Sequence, residues 1–183
     1  LDFTGEIEKS ITYHKRLRTD TEKIITETFE YDNGNRLLTH KHQVDNNPVE
    51  ILAQNEYNEL SQVKSKKVGG INPATPVQSI DYTYNIQGWL TKVNNPQNLG
   101  NKLFAYELKF TNPANTNLSS PYYNGNIAEV DWIASGNNIL KRYSYKYDAM
   151  GRLKSGIYSE PNASIPENNY YNETLTYDLN GNV

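Results

Sequence analysis

The stretch YKYDAMGRL, Tyr145 to Leu153, decides how this chain folds. Its core is a frame: Tyr, then Asp or Asn, two free positions, usually Gly, one more residue, then Leu or Val. The frame recurs at Tyr31–Leu37 (YDNGNRL), Tyr57–Val63 (YNELSQV), Tyr84–Leu90 (YNIQGWL), Tyr147–Leu153 (YDAMGRL) and Tyr177–Val183 (YDLNGNV). A motif that carried chemistry would stand once; one that recurs in a single frame is a building unit. Its content is that of a tight turn. Asp148 suits the first turn position, because its carboxylate can accept backbone N–H groups. Ala149 and Met150 become the central residues, and Gly151 falls where a positive φ and a bulge would match the twist of two flanking strands. The same assignment puts Asp32, Asn58, Asn85 and Asp178 at the first position, and Asn35, Gly88 and Gly181 at the fourth. Ser61 breaks the pattern, so a looser turn is expected there.

The flanks are strands. Tyr143, Tyr145 and Tyr147 alternate with Ser144 and Lys146, and Ile80, Tyr82 and Tyr84 alternate with Asp81 and Thr83. Period two with aromatic and β-branched residues is the strand signature. Composition agrees. Tyr supplies 15 aromatics against 4 Phe and 2 Trp, and Asn occupies 25 positions. Tyr favours strands and Asn favours turns. The expected fold is all-β: antiparallel hairpins side by side in a curved, twisted sheet, with no convincing helix. Spacings near 26 residues suit two strands, a turn and a return connection. The longer gap between Tyr84 and Tyr147 has room for degenerate units, with candidates at Phe104–Phe110 and at Tyr123–Ile127 (YNGNI). In the first, Phe104, Tyr106, Leu108 and Phe110 line one face. Stacked hairpins would bring Tyr31, Tyr57, Tyr84 and Tyr147 to equivalent, largely buried places on one sheet face, with Tyr177 as a further member of the aromatic ladder.

Bulk properties exclude several functions. The net charge is −3 and no dense basic run exists, which argues against nucleic acid as a partner. No apolar run is long enough to span a membrane, so no membrane insertion is expected. With no Cys there is no disulfide, thiolate metal site or Cys nucleophile. His40 and His42 would share a strand face and could bind metal with a third ligand, but two exposed histidines beside Lys41 on an edge are the commoner case. Asn replaces Asp at positions 58 and 85. That swap would disable a general base or a hard-metal ligand and leaves a turn-former intact, so the repeated acid reads as a turn residue. Trp89, Trp132 and exposed Tyr could stack on sugar rings, although strand aromatics more often serve packing. No catalytic, cofactor-binding or metal-binding residues are assigned, and no enzyme activity is expected.

The five copies, above all YDAMGRL and YNIQGWL, resemble the YD repeat of the RHS-repeat proteins. LFAYELKF at Leu103–Phe110 and YYNGNIAEVDW at Tyr122–Trp132 resemble linking segments of RHS proteins from Bacteroidetes-type bacteria. The resemblance covers roughly Phe29 to Val183, and residues 1–25 match weakly. It implies a β-ribbon that spirals into a hollow shell, in large secreted or surface-displayed proteins that often enclose a C-terminal toxin. Related repeats are also linked to carbohydrate binding. The self-cleavage segment and toxin domain of such proteins are absent from this sequence. On this basis residues 1–183 are expected to be one structural repeat segment of a longer chain. Its partners would be neighbouring repeats and an enclosed effector, and a strip taken alone would either self-associate by edge or face or form a rearranged, weakly stable monomer. The rival expectation is a surface adhesin module that binds glycans through Tyr and Trp platforms.

Overall fold

A computed structural model describes residues 5–183. It contains twelve strands and no helix among those residues: β1 (Lys9–His14), β2 (Lys23–Tyr31), β3 (Leu37–Val44), β4 (Glu50–Tyr57), β5 (Val63–Val68), β6 (Gln78–Tyr84), β7 (Leu90–Val93), β8 (Phe104–Lys109), β9 (Glu129–Ala134), β10 (Lys141–Tyr147), β11 (Leu153–Ser159) and β12 (Glu173–Thr174). The spatial order follows the chain order, and every pairing is antiparallel. This is the topology that short turns impose, since each strand pairs with the one it has just left.

Two compact units divide at Asp81 and Tyr82. The first holds β1 to β5 and the start of β6, where Gln78–Asp81 pair with β5. Its side chains are mostly half-buried or exposed, with Ile51, Thr39 and Ser65 buried. A single sheet layer has nothing to cover its faces, so alternation alone cannot make a deep interior.

The second unit holds the rest of β6, which pairs with β7, and all later strands. It has a true core: Leu99 and Leu140 from loops pack with Ala105 of β8 and Ile133 of β9. In β8 the structure decides which of the two alternating faces is covered. Phe104 is 44% exposed and Tyr106 and Leu108 are half-buried, whereas Ala105 and Lys109 of the opposite face are buried. The same polar-inside facing continues in β9 and β10, where Glu129, Asp131, Arg142 and Ser144 point inward. The loop between β8 and β9 is the cause. The backbone N–H groups of Ala114 and Asn115 reach Glu129, each at 2.7 Å, and Ser119 donates to the carbonyls of Ala128 and Tyr145. Polar side chains take the inward face because polar partners wait there. The aromatic face instead carries stacked rings: Trp132 on Tyr143 at 5.7 Å and Tyr143 on Tyr145 at 5.8 Å.

Candidate functional site

The five repeat turns share one hydrogen-bond scheme. In the Tyr147 copy, Asp148 N–H donates to the carbonyl of Arg152 at 2.9 Å and Gly151 N–H donates to that of Asp148 at 3.0 Å. The Asp148 carboxylate accepts from the N–H groups of Met150 and Arg152, each at 2.9 Å. The same four bonds occur around Asp32, Asn58, Asn85 and Asp178. Because only Oδ1 is required, Asn serves as well as Asp. The fourth turn residue has positive φ in every copy: Asn35 at 58°, Ser61 at 63°, Gly88 at 82°, Gly151 at 78° and Gly181 at 86°. The Ser61 turn is therefore no looser than the others. The four bonds hold it in the left-handed region, which costs a non-glycine residue roughly 1–2 kcal/mol. Gly151→Ala is expected to lower stability by about 1 kcal/mol in chemical denaturation, while Gly136→Ala, at a loop glycine without positive φ or a close neighbour, should cost less.

Each turn carboxylate is a committed acceptor. The Asp32 carboxyl is held below its usual range first by the Arg36 side chain and then by the Arg36 N–H. For Asp148 the Arg152 N–H leads and its guanidinium follows, and for Asp178 the Asn182 side chain leads, followed by its N–H. The residue after the positive-φ position supplies this lock. The Arg36 guanidinium donates to Asp32 Oδ2 at 2.6 Å, Arg152 to Asp148 Oδ2 at 2.7 Å and Asn182 Nδ2 to Asp178 Oδ2 at 2.9 Å, whereas in the Asn58 turn the direction reverses and Asn58 Nδ2 donates to Gln62 Oε1 at 2.9 Å.

The motif tyrosine links one repeat to the one before. It sits across from the final Leu or Val of its own copy: Tyr31 from Leu37, Tyr57 from Val63, Tyr84 from Leu90 and Tyr147 from Leu153. Its hydroxyl then reaches back. Tyr57 donates to the carbonyl of Leu37 at 2.9 Å and Tyr177 to that of Leu153 at 2.7 Å, the last residue of the preceding copy in each case. Arg36 lies over the Tyr57 ring at 4.8 Å and Arg152 over the Tyr177 ring at 4.4 Å. Tyr31, Tyr57, Tyr84 and Tyr147 are half-buried, not largely buried as expected, and Tyr177 is half-buried too. The hydroxyl must stay near the sheet edge to reach a main-chain oxygen, which keeps part of the ring wet.

The same stitch marks two further copies, the candidate at Tyr123–Ile127 and one nearer the start of the sequence. Tyr147 donates to the carbonyl of Ile127 at 2.9 Å, so Ile127 ends a shortened copy in which Gly125 (φ 93°) takes the place of Gly151. Tyr31 donates to the carbonyl of Ile7 at 3.1 Å, and Gly5 has φ 92°. The sequence LDFTGEI, Leu1–Ile7, keeps the Asp, Gly and aliphatic places of the frame with Leu where Tyr is usual. That spacing was the missed signal in the weakly matching residues 1–25; Leu1–Thr4 themselves lie outside the described residues.

A cluster that the sequence did not point to occupies the core of the second unit. Glu129 and Asp131 are 0% exposed, Lys109 7% and Arg142 8%. Lys109 Nζ lies 2.7 Å from Asp131 Oδ2 and 3.3 Å from Glu129 Oε2. Arg142 grips Asp131 through Nε at 2.6 Å and Nη2 at 2.7 Å. Ser144 and the two loop N–H groups complete Glu129. Two positive and two negative charges balance. Burial alone would raise the Asp131 carboxyl, but hydrogen bonds and charge from Arg142 and Lys109 outweigh it and hold it below its usual range. A lysine amine against a carboxylate could in principle condense to an amide with loss of water, which needs a protonated acid and a neutral amine. The Arg142 fork keeps the acid ionised and opposes that step, so the geometry favours a structural ion network.

The histidines do not converge on a metal-binding set. His40 stacks on Phe29 at 4.5 Å and its Nε2 lies 3.0 Å from Glu27. Among the described residues no group of three or more His, Asp or Glu side chains could hold a metal ion, and no helix is long and apolar enough to cross a membrane.

Seen against known proteins, the fold has a counterpart. The chain aligns with the crystal structure of TcdB2-TccC3-TEV at a TM-score of 0.59 and 14% identity, over 97% of its own length and 8% of that chain. It also aligns with TcdB2-TccC3-Cdc42 at a TM-score of 0.33 and 13% identity, over 93% of its length and 9% of that chain. The first likeness is one of fold, and this chain spans a small part of the larger one. No family model matches the sequence, and no curated protein matches it.

Proposed function

We propose that this chain is a non-enzymatic structural segment of a large secreted or cell-surface RHS-type protein, part of a β-shell that encloses or displays a C-terminal effector. The observation that carries the reading is the stitch: a tyrosine hydroxyl from one repeat bonded to the last carbonyl of the preceding repeat, beside a turn whose acid is fully occupied. Groups committed in this way serve continuity between repeats. The fold likeness to TcdB2-TccC3-TEV supports the same reading. The partners are then the neighbouring repeats of the parent chain, with the effector as cargo.

Within the described residues β1 pairs with β2 alone and β12 with β11 alone, so each presents one edge of main-chain donors and acceptors. Open edges recruit strands. The chain is expected to self-associate, with a melting temperature that rises with concentration. Light scattering and thermal melts across a dilution series check this. An ideal monomer with a concentration-independent melting temperature would count against the wall-segment reading.

A further inference from the structure

Three Asn–Gly pairs occur in the sequence, Asn33–Gly34, Asn124–Gly125 and Asn180–Gly181, and each is followed by a second Asn. The side-chain amide of an Asn can be attacked by the next backbone nitrogen, and a Gly in that next place, having no Cβ, leaves the approach open. By sequence the three Asn-Gly-Asn runs are alike. Their turns are not.

In the two full copies the glycine nitrogen is committed. Gly34 N–H donates to Asp32 Oδ1 at 2.8 Å, and Gly181 N–H donates to the carbonyl of Asp178 at 3.1 Å. Asp32 and Asp178 are held in turn by Arg36 and Asn182. The shortened copy at Tyr123–Ile127 lacks the central turn residues, so Asn124, in the place of the acid, stands directly before the glycine. Gly125 N–H has no hydrogen-bond acceptor among the described residues. The lock is unmade as well, because the side-chain nitrogen of Asn126 is buried without an acceptor. Asn124 Oδ1 does accept the Asn126 N–H, at 3.1 Å. That donor would stabilise the charge that grows on Oδ1 when Cγ is attacked. Asn124 is exposed, so water reaches the site.

We propose that Asn124–Gly125 is a site of spontaneous backbone modification, where the Gly125 nitrogen closes a succinimide on the Asn124 side chain. The nitrogen gives up its proton and bonds Cγ, and the Cγ–Nδ2 bond breaks with release of ammonia. Water then opens the ring. Opening at Cγ leaves aspartate. Opening at the main-chain carbonyl leaves isoaspartate, whose backbone runs through Cβ and Cγ and is one carbon longer. Water is the only co-reactant. The change falls at a junction between repeats, because Ile127 of the same turn holds the Tyr147 hydroxyl at 2.9 Å. It also falls under Trp89, whose indole would stand 3.2 Å from a Cβ added at Gly125. An extra backbone carbon there displaces the carbonyl that the stitch requires. The inference is independent of the wall-segment reading, since it rests on the chemistry of one turn.

The test incubates the folded 183-residue chain in warm, mildly alkaline buffer. Peptide mass mapping follows the three pairs, with electron-based fragmentation to separate isoaspartate from aspartate. Asn124 is expected to convert faster than Asn33 and Asn180 by about threefold or more, the factor that one ordinary hydrogen bond gives. In guanidinium chloride the three rates should converge, because the run Asn-Gly-Asn is shared. Asp32→Ala removes the acceptor of Gly34 and should raise conversion at Asn33 while Asn180 keeps its rate, a test of the protection that leaves the short turn untouched. Asn124→Gln should suppress the event at that position, and the isoaspartate form should melt below the unmodified chain. Equal rates at the three pairs in the folded chain would overturn the inference. So would faster conversion at Asn33 or Asn180, an unchanged Asn33 rate in Asp32→Ala, or a folded chain that keeps Asn124 intact while the unfolded chain converts it.

Discussion

Asp131→Ala is expected to destabilise the second unit by about 3–5 kcal/mol, the effect of removing one partner from a buried ion network. The change strands Lys109 and Arg142, both more than nine-tenths buried, without their nearest acceptor. Against a total stability of roughly 5–15 kcal/mol for a domain, such a loss would leave the fold marginal. Chemical denaturation followed by Trp132 fluorescence measures it, because Trp132 lies on the strand that carries Asp131. Adding Lys109→Met and Arg142→Met to Asp131→Ala should recover part of the loss, since an apolar set of similar volume removes the stranded charges. A cost below about 1 kcal/mol for Asp131→Ala would show that the network is solvated and adds little.

The same network sets an acid limit. The folded Asp131 carboxyl titrates below its unfolded value, which is near 3.9 for Asp. Its stabilisation is complete above the unfolded value, falls as pH drops below it, and is gone once pH passes below the folded value. Melts should thus be insensitive to this group from neutral pH down to about pH 4 and decline below that. In Asp131→Asn the decline over that acid range should be shallower.

Tyr147→Ala is expected to cost about 3 kcal/mol, near the lower end for loss of a large aromatic ring because the ring is half-buried. The ring faces Leu153 across the hairpin and meets Tyr122 edge-on at 5.0 Å. Tyr147→Phe keeps those contacts and removes only the bond to Ile127, so about 1 kcal/mol should be lost. Equilibrium unfolding of both variants separates ring packing from the stitch. Equal costs would mean that the hydroxyl carries the whole effect. A negligible cost for Tyr147→Phe would mean that the stitch contributes little stability, and the repeat would then be a turn signal alone.

The hairpins were legible because they are local. Asp148, Gly151 and Leu153 act within seven residues of Tyr147, and their roles follow from turn chemistry and period-two facing. Ser61 misled because turn preference is a weak prior; four hydrogen bonds at Asn58, two through its side-chain oxygen and two through its backbone, outweigh the strain at Ser61. Leu1–Ile7 escaped notice because Leu replaced the aromatic that anchors the frame, although Gly5 and Ile7 kept their places.

What the sequence by itself determined is the succession of tight turns and strands, and hence the antiparallel neighbour order, since each of those steps depends on residues a few places apart. Tertiary structure alone decided which face of β8 to β10 lies inside. Alternation shows that two faces differ without showing which is covered. In β8 the face of Phe104, Tyr106 and Leu108 is the less buried of the two. A loop about fifteen residues from Glu129 brought backbone N–H groups to its carboxylate, and Lys109 and Arg142 arrived from the strands on either side. Burying charge is favourable only when every partner is present, and those partners come together only when the chain has folded.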